Sequence, residues 1–149
     1  MELIIRDVAT ADLDAVLSLN QSEVPHVGSV DLDKMRWYAA NASYFRVATS
    51  GNVLAAYLVG FRPGTTYTSP NYLWFCDRYD DFAYVDRVAV ADFARRKGIA
   101  TRLYADFDGS VPDGVEYITC EVNVRPPNDS SKDFHRRLGF EQVGSLVSG

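Results

Sequence analysis

From Asp86 to Thr101 an apolar strand ends at Val90, a short loop follows, and three consecutive cations (Arg95, Arg96, Lys97) meet Gly98 where a helix begins. That junction constrains the chain more than any other feature. Backbone N–H groups at a helix start lack intrahelical partners, and beside concentrated positive charge they make a site for a phosphate or diphosphate. Gly98 has no Cβ, so an anion can approach the main chain closely. Ile99 and the small Ala100 follow, and Thr101 offers a hydroxyl on the first turn. A Walker loop is excluded, because Lys97 precedes the only glycine of the turn. A dinucleotide fingerprint is excluded too, because it needs three spaced glycines.

The spacing of Arg95, Gly98 and Ala100 instead resembles the acyl-CoA pyrophosphate signature of the GNAT superfamily, the acyl-CoA-dependent N-acyltransferases. A second segment, Val122–Phe140, is similar to the one after the fifth strand in that superfamily. There an asparagine opens a helix, and a tyrosine follows an aromatic ahead of a closing Gly-Phe pair. Here those places are held by Asn128, Phe134, and Gly139 with Phe140, while His135 stands at the tyrosine position. The two motifs occur in the right order about 30 residues apart, and the likeness covers nearly the whole chain.

With 149 residues the chain is expected to form one domain, residues 1–149. Its 47% apolar and 23% charged content is that of a globular protein. No apolar run reaches the ~20 residues of a membrane span, and no signal-peptide pattern opens the chain. The expected location is the cytoplasm, without membrane contact. Cys76 and Cys120 lack CxxC partners and read as reduced thiols, and no spaced Cys/His/carboxylate set suggests a metal. A net charge of −5 argues against nucleic acid and suits a cationic amine.

Along the chain, residues 3–6 read as a strand, and Thr10 as the cap of an amphipathic helix carrying Leu13, Val16 and Leu17. A second helix fits 32–40, with Met35, Tyr38 and Ala39 inward. Residues 44–48 and 53–61 form a hairpin across Ser50-Gly51-Asn52. Residues 62–81 are irregular and rich in aromatics. A strand over 82–90, a helix over 98–107, a strand over 117–124, a helix over 128–138 and a strand over 140–146 complete the order. Clustered strands followed by alternating elements give an α/β class, a mixed sheet flanked by helices. The resemblance implies one further strand in the sheet, which is expected either to be missing here or to come from a partner subunit. A bare sheet edge invites pairing with another chain, so a homodimer is one expected consequence and lowered stability or activity the other.

The resemblance implies acetyl-CoA as co-substrate and direct attack by an amine, of a small molecule or a peptide, in a ternary complex. It implies that Val88, Ala89 and Val90 lend backbone groups to the pantetheine arm, and that an N–H near Val88 faces the thioester oxygen. Simple core packing is the alternative for these side chains. Asn128, Ser131 and His135 share one helical face. His135 is the candidate acid for the leaving thiolate; the alternative is a buried histidine satisfied by a neighbour. Asn128 serves equally as a pantetheine contact or as a helix cap. Many relatives carry a glutamate five residues before the asparagine, but here that residue is Asn123, which cannot act as a base. Alternation puts Glu121 on the same face as Asn123, and Tyr84, Asp86 and Val88 on one face of the preceding strand. Glu121 and Asp86 are therefore the candidate bases, with salt-bridge roles or a water relay as alternatives. Aromatics of 62–81 with Asp77, Asp80 and Asp81 suggest an amine pocket, against a second hydrophobic cluster under a loop. The rival to an enzyme is a non-catalytic acyl-CoA-binding or sensing module, which the histidine, the missing glutamate and the short sheet would favour.

Overall fold

A computed structural model describes residues 2–120 and 129–144. Five strands form one sheet in the order β1-β2-β3-β4-β5: β1 (Leu3–Asp7), β2 (Tyr44–Ser50), β3 (Val53–Phe61), β4 (Ala83–Val90) and β5 (Ile118–Cys120). The first four pair antiparallel with their neighbours, and β5 joins β4 in parallel. Helices α1 (Leu13–Ser22), α2 (Leu32–Asn41) and α3 (Pro70–Arg78) cover one face, and α4 (Ile99–Ser110) with α5 (Asp129–Arg137) covers the other. The first cluster packs Val16, Met35, Tyr38, Tyr72 and Phe75 on Val47, Tyr57, Phe61 and Tyr84. The second packs Ile99, Leu103, Tyr104 and Phe107 on Ala48, Leu58 and Val85. Apolar side chains thus leave the sheet in both directions, as a two-sided α/β sheet requires.

Several local expectations are corrected. Thr10 does not cap α1: residues Thr10–Asp12 form a 3-10 turn, and the Asp12 carboxylate accepts from the Ala9 N–H at 2.7 Å while Arg6 holds it. Ala39 is exposed rather than inward. The segment 62–81 is not wholly irregular. Pro70, harmless at a first helical position, starts α3, and its Tyr72 and Phe75 belong to the main core instead of a separate cluster. Residues 140–144 form no strand, and residues 121–124 lie outside the described part.

The sheet carries one irregularity that matters for the site. Pairing runs Val59↔Arg87 and then Gly60↔Val85, so Asp86 is an extra residue on β4. A bulge of this kind shifts the alternation by one. Asp86 and Arg87 both turn to the α1–α2 face, and Val88 turns to the α4 face, where it packs in the second cluster. The expected common face of Tyr84, Asp86 and Val88 therefore breaks at Asp86. Opposite the bulge, Gly60 admits the Phe107 ring: a Cβ there would meet Phe107 Cζ at 2.6 Å.

Candidate active site

Beyond β4 the backbone makes a tight turn. Asp92–Ala94 is a 3-10 turn, Arg95 is extended, and Arg96 (φ 63°) and Gly98 (φ 73°) are left-handed. Gly98 opens α4, whose first N–H groups point back into this turn. Left-handed residues in such a turn gather N–H groups into a concavity that suits an anion. A non-glycine residue at positive φ costs about 1 kcal/mol or more, and such strain clusters at ligand-binding segments. Arg96, Lys97 and Thr101 are exposed. Ile99 is buried, so only its backbone can serve a ligand.

Arg95 has a different role from its neighbours. Its guanidinium pairs with Glu23 just after α1, pairs with Asp92 at 2.8 Å, and reaches the Val90 carbonyl at 3.4 Å. It braces the turn against α1, so its charge is already engaged within the protein. Among the described residues, Arg96 and Lys97 enter no ion pair.

The backbone of β4 divides its groups between two sides. The Ala91 N–H donates to the Ala55 carbonyl at 2.8 Å, which makes Ala56↔Val90 and Leu58↔Val88 the pairs whose backbone groups point away from each other. Val88 and Val90 therefore turn their N–H and C=O groups away from β3, toward the side where β5 lies. Ala89 turns its own toward β3, so of the three expected residues it is not placed to offer a backbone contact. The described pairing with β5 covers only Ala83–Val85.

On the α1–α2 face, a buried polar network starts at the bulge. Arg87 Nε donates to Asp86 Oδ2 at 2.8 Å, and Tyr67 Oη donates to Asp86 Oδ1 at 2.7 Å. Arg87 Nη1 also donates to Asn20 Oδ1 (2.9 Å) and the Gly28 carbonyl (3.1 Å), and Tyr57 Oη donates to Asn20 Oδ1 (2.5 Å). The side chains of Arg87 and Asp86 are 9% and 3% exposed. Both Asp86 oxygens are thus engaged and shielded, which suits a positioning group better than a base that meets an incoming amine. Burial, then the Asp86 charge, pushes the Tyr67 phenol well above its ordinary range, so it stays a proton donor. Tyr38 Oη lies 3.1 Å from Tyr67 Oη, and burial pushes it up to about 12.

His135 lies inside the second core, packed among Tyr104, Phe134 and Phe140. Its Nδ1 lies 2.7 Å from the Ser131 carbonyl and its Nε2 2.5 Å from Tyr104 Oη. A carbonyl can only accept, so Nδ1 carries the proton and Nε2 accepts from the phenol. Burial holds its pKa below the ordinary histidine value. The expected acid therefore has no proton at Nε2 to give, and the structure makes it a link between α4 and α5. Ser131 shares its face, with Oγ 3.2 Å from Nδ1. Glu121 and Asn128 lie outside the described residues.

The proposed acidic pocket falls at the wrong end. Asp80 and Asp81 line a shallow cavity with Tyr79 and Tyr117 before β4 begins, and Asp81 pairs with Arg62 at 2.6 Å. The eight residues of β4, roughly 25 Å of extended chain, separate it from the turn after Val90. Asp77 is exposed. Sequence reading also missed Asn20, Lys34, Trp37 and Tyr57, whereas Arg87 pairs with Asp86 as the salt-bridge alternative for that carboxylate anticipated. The i, i+3, i+4 spacing of Lys34, Trp37 and Tyr38 was visible, but their meeting with Tyr67 was not. Among the described residues no group of His, Cys, Asp and Glu is placed to hold a metal, no helix is long and apolar enough to cross a membrane, and neither cysteine is in a disulfide.

Residues 13–140 match the family model described as the acetyltransferase (GNAT) family. No curated protein matches the chain. Among solved structures, AAC(6')-Iy in complex with the bisubstrate analogue CoA-S-monomethyl-acetylneamine is 18% identical, with a TM-score of 0.74 over 100% of this chain and 97% of that one. The aminoglycoside 6'-N-acetyltransferase AAC(6')-Ih from Acinetobacter baumannii is 19% identical, with a TM-score of 0.76 over 99% and 97%. Ard1 from Thermoplasma volcanium is 17% identical, with a TM-score of 0.76 over 97% and 86%. At these identities the likeness shows a common fold.

Proposed function

This chain belongs to the acetyltransferase (GNAT) family, and from that premise we propose that it transfers the acetyl group of acetyl-CoA to a primary amine, of a small molecule or a peptide, by direct attack in a ternary complex. The observation that carries this reading is the junction after β4, where the outward backbone of Val88 and Val90 leads into the left-handed turn at Arg96 and Gly98. The diphosphate lies on the N–H groups of Gly98–Thr101 beside Arg96 and Lys97. The pantetheine arm runs along Val88 and Val90 as an added strand, with Ser131 of α5 as a further contact and Asn128 as the residue the family likeness adds. The Val88 N–H meets the thioester oxygen as negative charge develops there. The amine nitrogen bonds to the carbonyl carbon, the C–S bond breaks, and the amine proton leaves to Glu121 or to water. The thiolate takes a proton from solvent. Asp86 positions the amine side of the site through Tyr67.

Calorimetric titration of acetyl-CoA into the wild-type protein and an Arg96→Glu variant tests the anchor. Binding is expected in the wild type and a loss of at least about tenfold in the variant, since a charge-assisted contact is replaced by repulsion. Equal binding by both proteins overturns the placement. An assay for thiol released on a panel of amines then tests transfer. One observation favours a second reading, a non-catalytic acyl-CoA-binding module: Asp86 and His135 are both fully engaged within the protein. Acetyl-CoA binding with no thiol released on any amine would select that reading.

A further inference from the structure

Lys34 projects from the first turn of α2, and its ammonium lies over three aromatic rings. Nζ is 4.8 Å from the Trp37 centroid, 5.1 Å from that of Tyr67 and 5.4 Å from that of Tyr38. The rings brace one another: Trp37 and Tyr67 are 5.4 Å apart, and Tyr38 stands edge-on to Tyr67 at 81°. Tyr38 and Tyr67 are buried, and the Arg87 guanidinium already lies 5.0 Å from the Tyr38 centroid, so these rings are held in place by the fold itself. Among the described residues no ion pair involves the Lys34 ammonium. A flexible surface lysine loses rotamer freedom when it settles on rings, so the attraction of the ring faces must outweigh that loss.

We propose that Trp37, Tyr38 and Tyr67 form a binding site for an alkylammonium ion, and that Lys34 is an internal occupant which an external ammonium displaces. The location connects this site to the chemistry. Tyr67 donates to Asp86 at the β4 bulge, two residues before Val88, so the cage sits one hydrogen bond from the strand that the reading above assigns to the thioester. The proposal rests on that reading only for its biological meaning: the caged ammonium would be that of the amine acceptor or of a second cationic group on it. Ring faces select positive charge and an alkyl stem, without demanding a particular set of hydrogen-bond acceptors. Linear or branched alkyl amines and lysine-like side chains are the substrate class this implies, in preference to neutral or anionic amines.

The cage can be tested without acetyl-CoA, because Trp37 is one of only two tryptophans. In a Trp74→Phe background, Trp37 fluorescence reports the cage alone. The probe is n-butylammonium, which has the four-carbon stem and ammonium of a lysine side chain, and 1-pentanol is the neutral control. Saturable change is expected with n-butylammonium in Lys34→Ala, at about one-tenth of the concentration the lysine-bearing protein needs, and none with 1-pentanol. Lys34→Gln, which keeps a long polar side chain on the helix, is expected to behave like Lys34→Ala. An unchanged half-saturation in both variants, no saturable change in either, or an equal response to 1-pentanol overturns the proposal. Because acetyl-CoA is absent, such a failure leaves the acetyl-CoA titration untouched. A failed titration with an intact cage response would overturn the transferase anchor alone.

Discussion

Arg96 holds a left-handed backbone (φ 63°) that an arginine adopts only at a cost, and it does so beside Gly98, which adopts the same region freely. Nothing in the packing demands an arginine here, because its side chain is exposed. Strain and function therefore separate at this residue. Arg96→Gly is expected to raise the free energy of unfolding by up to about 1 kcal/mol, because the glycine relieves the positive φ. The same variant is expected to weaken acetyl-CoA binding severalfold by removing a cation from the turn. A denaturant melt read beside a titration checks both, and a loss of stability would show that the turn is not strained at this position.

Between elements, α4 and α5 are joined by a buried polar contact, Tyr104 to His135, inside an aromatic cluster. The imidazole is neutral in the folded protein, and burial lowers its pKa. The unfolded chain binds a proton more readily, so this contribution to stability is fully present above the unfolded pKa of ~6.5. It is lost progressively as pH falls from there toward the folded pKa. Thermal unfolding followed from pH 7 down to about 5 is expected to show this decline, and His135→Phe is expected to flatten it. That variant also leaves the buried Tyr104 phenol without its acceptor, at a cost of about 1–3 kcal/mol at neutral pH. An unchanged pH profile in the variant would mean that other groups set the acid limb.

For the molecule as a whole, a net charge of −5 surrounds the turn proposed to hold the diphosphate. The attraction is local and exposed, and the Debye length shrinks from ~10 Å at 0.1 M salt to ~3 Å at 1 M. Acetyl-CoA affinity is expected to fall severalfold across that range, and Arg96→Glu is expected to remove most of the dependence. Titrations at three salt concentrations check this. A flat response in the wild type would place the anion's recognition on backbone N–H groups rather than on side-chain charge.

The sequence by itself determined the parts that depend on neighbouring residues. The turn from Arg95 to Thr101 was legible because a helix start, a glycine and adjacent cations act through local backbone geometry. Most of the order of strands and helices, α3 and residues 140–144 apart, was legible because apolar periodicity reflects each element's own burial. What the tertiary structure decided depends on contacts between distant segments. One extra residue at Asp86 moved Val88 to the opposite face, and no local pattern announces a bulge whose partner, Gly60, lies 26 residues earlier. Arg95 reads as a phosphate ligand until Glu23 comes into reach, and His135 reads as an acid until Tyr104 supplies the proton that its Nε2 accepts. The charge and chemistry of a side chain are set by its type, but whether they remain available for a ligand is set by what the fold packs against it.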